Sequence, residues 1–140
     1  MNRITVLFMV VIMSASFVAC ANKGLNTGNK STQNSNKYQK ISPSEAKQRL
    51  EEEEGIILLD VRTEEEYQEK HIPQSVLIPL EILEKEMQDK IPDKNTVIFV
   101  YCRSGRRSAN ASEILVSLGY TNIYDLGGIQ DWPYDIEKGD

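Results

Sequence analysis

The sequence predicts an α/β domain: a central, mainly parallel sheet of about five strands with helices on both faces. Three observations carry that expectation. Residues 56–61 (IILLDV) and 96–101 (TVIFVY) are near-continuous apolar runs, which suit strands buried on both faces of a sheet. Segments with helical spacing and capping residues stand on either side of them. The two kinds of segment alternate along the chain, as they do in βα-repeat architectures.

Ser42-Pro43-Ser44-Glu45 opens the first helix, with Ser at the N-cap, Pro at the first helical position and Glu three residues after Ser. This helix is expected to run to about Glu53 and to stop at Gly55. Its acidic end, residues 51–54, reads as a solvated face that opposes the negative end of the helix dipole. The first buried strand follows. Thr63 and Glu66 form a second capping box, which opens a short helix to about Glu69. Residues 76–78 (VLI) read as a short strand. Ile82, Leu83, Glu86 and Met87 set an amphipathic helix to about Lys90. The second buried strand leads into Cys102-Arg103-Ser104-Gly105-Arg106-Arg107. A helix then runs from about Arg107 to Leu118 and ends at Gly119. Residues 122–125 (NIYD) form a last strand, and Gly127-Gly128 reads as a turn before a short helix that carries Trp132 and is limited by Pro133.

The length of 140 residues suits one domain of ordinary size, and 40% hydrophobic with 26% charged residues is a globular composition. Sixteen basic and 21 acidic residues leave a net charge of −5, which argues against a nucleic-acid binder. Two cysteines exclude a disulfide-dense scaffold, and with a single histidine they are too few for a closed zinc site. The charge is unevenly placed. The first forty residues contain no acid but hold Arg3, Lys23, Lys30, Lys37 and Lys40, so the remaining hundred carry a net −10.

That boundary divides the chain into an address and a domain. Residues 1–19 have the form of a secretory signal peptide: a positive start at Arg3, then a 15-residue apolar stretch from Ile4 to Val18 broken only by Thr5, Ser14 and Ser16. The stretch is short for a membrane span, which needs about 20 apolar residues. Phe17-Val18-Ala19-Cys20 resembles the lipobox of bacterial lipoproteins, with Phe17 in place of the usual Leu. The resemblance implies cleavage before Cys20, lipid attachment to it, and a membrane-anchored protein of the cell envelope facing the periplasm or exterior. Ordinary cleavage near Ala19, or an uncleaved anchor, is the alternative. Residues 20–40 are rich in Asn, Lys, Ser, Thr and Gly and read as a flexible linker. Residues 41–140 form the folded domain.

The chemistry is expected where the second buried strand ends. Ligands of parallel sheets bind at the carboxyl ends of strands, and Cys102 lies there, just before a helix. Loop and helix N–H groups converge at such a point and favour the thiolate, the nucleophilic form of cysteine. Arg103, Arg106 and Arg107 bring three of the domain's eleven basic residues into one six-residue segment. A cationic focus on an acidic background collects small anions, and a planar guanidinium matches oxyanions. Cys102 is therefore the candidate nucleophile, with Arg103, Ser104, Gly105, Arg106 and Arg107 as candidate substrate-binding residues. A buried structural thiol is the plain alternative for an isolated cysteine.

The loop resembles the active-site loop of the rhodanese (thiosulfate sulfurtransferase) family, and the resemblance extends over residues 41–135. Leu59-Asp60-Val61-Arg62 is similar to the family's Asp-Val-Arg motif. His71-Ile72-Pro73 with Ile78-Pro79 is similar to its His-Ile-Pro-Gly-Ala segment, with Gln74-Ser75 in place of Gly-Ala and Lys70 in place of a frequent Gly. Leu126-Gly127-Gly128 with Trp132 is similar to the closing motif. The resemblance implies a rhodanese-like fold and two-step chemistry. Cys102 takes the outer sulfur of a small anionic donor such as thiosulfate, becomes a persulfide, and passes the sulfur to a thiol, cyanide or protein acceptor. It implies that Asp60 and Arg62 organise the site from behind, that His71 is structural, and that no metal or organic cofactor is needed. The chain is expected to act as a monomer.

Two other functions compete. A persulfide carrier would use the same Cys102 to serve a protein partner. A Cys-dependent phosphatase or arsenate reductase would need Arg six positions after the cysteine, where this chain has Ser108. A disulfide exchanger lacks a second cysteine in the domain once Cys20 is lipidated.

Overall fold

A computed structural model describes residues 37–139; the expected signal peptide, Cys20 and the linker up to residue 36 lie outside the described residues. Five strands form one parallel sheet: β1 (Gln39–Lys40), β2 (Ile57–Asp60), β3 (Val76–Leu77), β4 (Val97–Cys102) and β5 (Asn122–Gly128). Their spatial order is β1-β5-β4-β2-β3, which puts β4 at the centre. The helices are α1 (Pro43–Glu52), α2 (Glu64–Glu69), α3 (Leu83–Lys90) and α4 (Arg106–Ser117).

The buried runs of the sequence become the inner strands, and their alternation makes two cores. Leu59, Val61, Ile98, Val100, Cys102 and Ile123 point to one face, where Leu83 and Met87 of α3 and Ala111 and Leu115 of α4 cover them. Leu58, Phe99, Tyr101 and Leu126 point to the other, under Ala46 and Leu50 of α1 and under Ile72, Ile129 and Trp132. Each fully buried aliphatic or aromatic side chain contributes about 1.5–3 kcal/mol, so β4, buried over five of its six residues, anchors both cores. Between α1 and β5 the Arg49 guanidinium lies 4.7 Å from the Tyr124 ring centre and pairs with Glu53 at 2.7 Å.

The caps behave as the sequence predicts. Ser42 accepts the Glu45 N–H, and Thr63 and Glu66 exchange both bonds of a capping box. α1 ends one residue short of Glu53, and Gly55, at φ 79°, turns the chain into β2. Four elements differ from expectation. β1 lies inside the segment read as linker, pairing Gln39 with Tyr124 and Lys40 with Asp125. An exposed edge strand pairs through its backbone alone, so its polar side chains gave no apolar signal. The third helix starts at Leu83 after a 3-10 turn over Leu80–Ile82, which leaves Ile82 exposed. Cys102 is the last residue of its strand rather than the first of a loop.

The fourth difference is the end of β5. Gly127 and Gly128 continue the strand instead of forming a turn. Val100 pairs with Asp125 but Tyr101 pairs with Gly127, so Leu126 is an extra residue, and the chain passes this bulge with Gly127 at φ 89°.

The turn at Pro73-Gln74 holds the only non-glycine residue at positive φ among the described residues, Gln74 at 64°. A side chain in that region costs roughly 1–2 kcal/mol, which glycine avoids at the expense of greater freedom in the unfolded chain. Gln74 is exposed and makes no side-chain hydrogen bond that would offset the cost. Gln74→Gly is expected to raise stability by about 0.5 kcal/mol, read as a higher urea midpoint at unchanged slope. A lower midpoint would show that the side chain, not the backbone, governs this turn.

Candidate active site

Cys102 sits at the carboxyl end of the central strand with 1% of its surface exposed. The chain leaves β4 through Arg103 and Ser104 and enters α4 at Gly105, the N-cap, whose φ of 97° requires glycine-like backbone freedom. That conformation turns the Gly105 N–H back onto the Cys102 Sγ, which accepts it at 3.1 Å. The thiol is therefore held at the amino end of a twelve-residue helix, where main-chain dipoles favour negative charge.

The loop is pressed against the end of β5. A Cβ on Gly128 would lie 2.7 Å from the Arg103 carbonyl oxygen and 2.8 Å from the Ser104 Cα, so only glycine fits there. Behind the bulge, the buried Asp125 carboxylate accepts the Ser108 hydroxyl at 2.6 Å and the Gly127 N–H at 3.0 Å. The Ser108 Oγ also lies 3.0 Å from the Gly105 carbonyl. One acid thus fastens the first turn of α4 to the bulge. Ser108 faces into this network, at the place where a phosphatase loop would present arginine to its substrate.

The three arginines divide. Arg107 gives its two terminal nitrogens to Glu66 on α2, at 2.7 and 2.8 Å. Those hydrogen bonds hold the Glu66 carboxyl at about 2, well below its usual range. The stability this pair contributes is therefore present above pH 4.5 and is lost as pH falls towards 2. Arg103 and Arg106 are exposed and have no carboxylate partner among the described residues. With Ser104, Arg107 and Gln130 they line a concavity of about 390 Å³ at the loop. A larger one, about 580 Å³, lies against α1 and the segment after Trp132, and Cys102 lines neither.

Asp60 and Arg62 form a buried pair: Arg62 Nε donates to the two carboxylate oxygens at 2.9 and 3.0 Å, and its Nη2 also donates to the Lys70 carbonyl at 2.8 Å. The Arg62 guanidinium lies over the ring of Tyr101, the residue before Cys102, 5.5 Å from its centre. The Tyr101 hydroxyl accepts the Ile72 N–H at 3.2 Å, and burial, with the Asp60 carboxylate, raises its pKa. Asp60 and Arg62 thus adjoin the residue that precedes Cys102. His71 stacks on Tyr67 at 3.9 Å and donates from Nδ1 to the Tyr67 carbonyl, and it makes no hydrogen bond to Cys102. Sequence reasoning missed the second task of Glu66, whose partner lies 41 residues away, and the anchoring role of Asp125. Asp125 did leave a signal, an acid at the end of an apolar strand, as Asp60 is.

Comparison with known proteins accords with this geometry. Residues 42–134 match the family model for the rhodanese-like domain. The chain is 41% identical over 81 residues to the thiosulfate sulfurtransferase PspE of Escherichia coli, covering 58% of this chain and 78% of the relative. It is 36% identical over 93 residues to a sulfurtransferase of Allochromatium vinosum, covering 66% and 85%. Among solved structures, a rhodanese with anions from E. coli superposes with a TM-score of 0.57 at 38% identity, covering 60% of this chain and 99% of that one. A rhodanese-like domain protein from Staphylococcus aureus does so with a TM-score of 0.61 at 30% identity, covering 73% and 99%. The parallel sheet and helices superpose on solved rhodanese structures, and the family model spans nearly the whole described domain: the chain belongs to the rhodanese-like domain family.

Proposed function

We propose that this chain moves a sulfane sulfur from thiosulfate, or a similar small anionic donor, to a thiophilic acceptor through a persulfide on Cys102. Sulfur transfer is the chemistry of its family; the donor and the residue roles are the proposal. The observation that carries it is the Cys102 Sγ, set at the amino end of α4 and accepting the Gly105 N–H. The Cys102 thiolate attacks the outer sulfur of thiosulfate. The sulfur–sulfur bond of the donor breaks, sulfite leaves with its electron pair, and the new bond leaves a terminal persulfide anion. Arg103 and Arg106 face the sulfonate end, and loop N–H groups accommodate the anionic sulfur. An acceptor such as cyanide takes the outer sulfur as thiocyanate and returns the thiolate.

Intact mass of the full chain before and after thiosulfate tests the first step. A gain of about 32 Da, one sulfur, is expected, removed by cyanide and absent in Cys102→Ser. No gain on a folded, reduced chain would exclude thiosulfate as donor. Gly128→Ala forces the Arg103 carbonyl away from the strand, so persulfide formation is expected to slow by at least about tenfold, roughly 1.4 kcal/mol of barrier. An unchanged rate would show that the loop tolerates the shift.

We also propose that Cys20 carries a lipid that holds the domain at a membrane surface of the cell envelope. The support is the small-residue end of the apolar leader, Phe17-Val18-Ala19-Cys20. Cys20→Ser is expected to move the protein from the membrane fraction to the soluble one and to abolish labelling by palmitate. Equal labelling of the variant would overturn the assignment.

A further inference from the structure

Three arginines at a sulfur site would carry three positive charges, but the structure leaves two of them free. Arg107 is bound by Glu66 through two hydrogen bonds, each below 3 Å, with both side chains about three-quarters buried. It nevertheless lines the same concavity at the loop as Arg103, Ser104 and Arg106, five residues after Cys102. Glu66 comes from α2, far away in sequence, and its Oε2 also caps that helix by accepting the Thr63 N–H at 3.2 Å. Cap geometry alone requires no charge, because glutamine serves a capping box as well. The partner that uses both oxygens of the carboxylate is Arg107, with Arg62 a weaker neighbouring charge. The other acids nearby are Glu81, which acts on Arg107, and Glu69, which shares a concavity with Arg62, Lys70 and Arg103.

We propose that Glu66 sets the charge of the sulfur site: by neutralising Arg107 in the concavity at the loop, it leaves Arg103 and Arg106 as the cations that draw anions to the thiolate. Glu66 is a positioning residue, acting through Arg107. This rests on the reading of the loop as the place where anions approach Cys102. The device limits attraction. A third free cation would bind a dianionic donor more tightly, but would also retain the dianionic sulfite that must leave. The bound donor and the transition state gain alike from such a charge, so added affinity of this kind does not speed the chemical step.

The test reads the field at Cys102 without relying on sulfur transfer. Iodoacetate and iodoacetamide alkylate the same thiolate and differ chiefly in charge, so the ratio of their rates cancels any change in thiolate fraction. Peptide mass mapping of the full chain assigns the rates to Cys102. Glu66→Gln, which keeps the cap, is expected to raise the iodoacetate-to-iodoacetamide ratio about three- to tenfold at low salt, as one unmasked charge several Å away would. The increase should shrink at about 0.5 M salt, where screening acts over a few Å. Arg107→Gln leaves Glu66 unmatched and should lower the ratio, and the double variant should return close to the wild-type value. A purely structural pair would move both single variants in the same direction, or move neither, and either result overturns the proposal. Wild-type sulfur uptake decides the donor separately. Ratios that follow the pattern in a chain that thiosulfate does not load would leave the charge assignment standing and remove the donor; sulfur uptake with unmoved ratios would do the reverse.

Discussion

The contact between Gly128 and the Arg103–Ser104 backbone is the constraint on which the rest of the site depends. There is no room for a Cβ between the end of β5 and the loop. The loop can therefore run in one place only, and that place directs the Gly105 N–H at the Cys102 sulfur. The bulge at Leu126 and the left-handed Gly127 bring Gly128 opposite Cys102. Asp125 then locks the arrangement by binding Ser108 of α4 and the Gly127 amide at once. A backbone fit, a bulge and one buried carboxylate together build a site whose reactive atom is a single sulfur.

Much of this was legible in the residues. The runs at 56–61 and 96–101 announced the inner strands because strands buried on both faces need apolar residues at every position. Ser42 and Thr63 announced their helices because a cap is a local hydrogen bond between near neighbours. Cys102 with its arginines marked the candidate site because strand end, thiol and helix start are contiguous. What stayed hidden depends on partners distant in the chain or on backbone pairing alone. The strand at Gln39–Lys40 is held by the main chain of β5 and shows no apolar pattern. Gly127-Gly128 has the composition of a turn, and only the register with β4 shows it to be a bulged strand end. Glu66 looked like a cap and is one; its pairing with Arg107 requires the fold.

The site also separates its charges by depth. Asp60 with Arg62, and Asp125 with Ser108, are buried and satisfied, and they fix the scaffold. Breaking a buried pair by removing one partner is costly, so these positions answer to the fold. Arg103 and Arg106 stand in solvent and are weakly constrained by packing. Glu66 and Arg107 lie between the two layers and link α2 to the loop.

A sulfur held by a main-chain N–H is indifferent to the side chains its loop displays. The geometry that grips it depends on Gly105, Gly128 and the bulge, and none of these meets an incoming molecule through a side chain. The exposed side chains of the loop, at positions 103, 104 and 106, can change without rebuilding that grip. The backbone that holds the sulfur and the side chains the loop displays are therefore separable: substitution at these three surface positions leaves the Gly105–Cys102 contact in place.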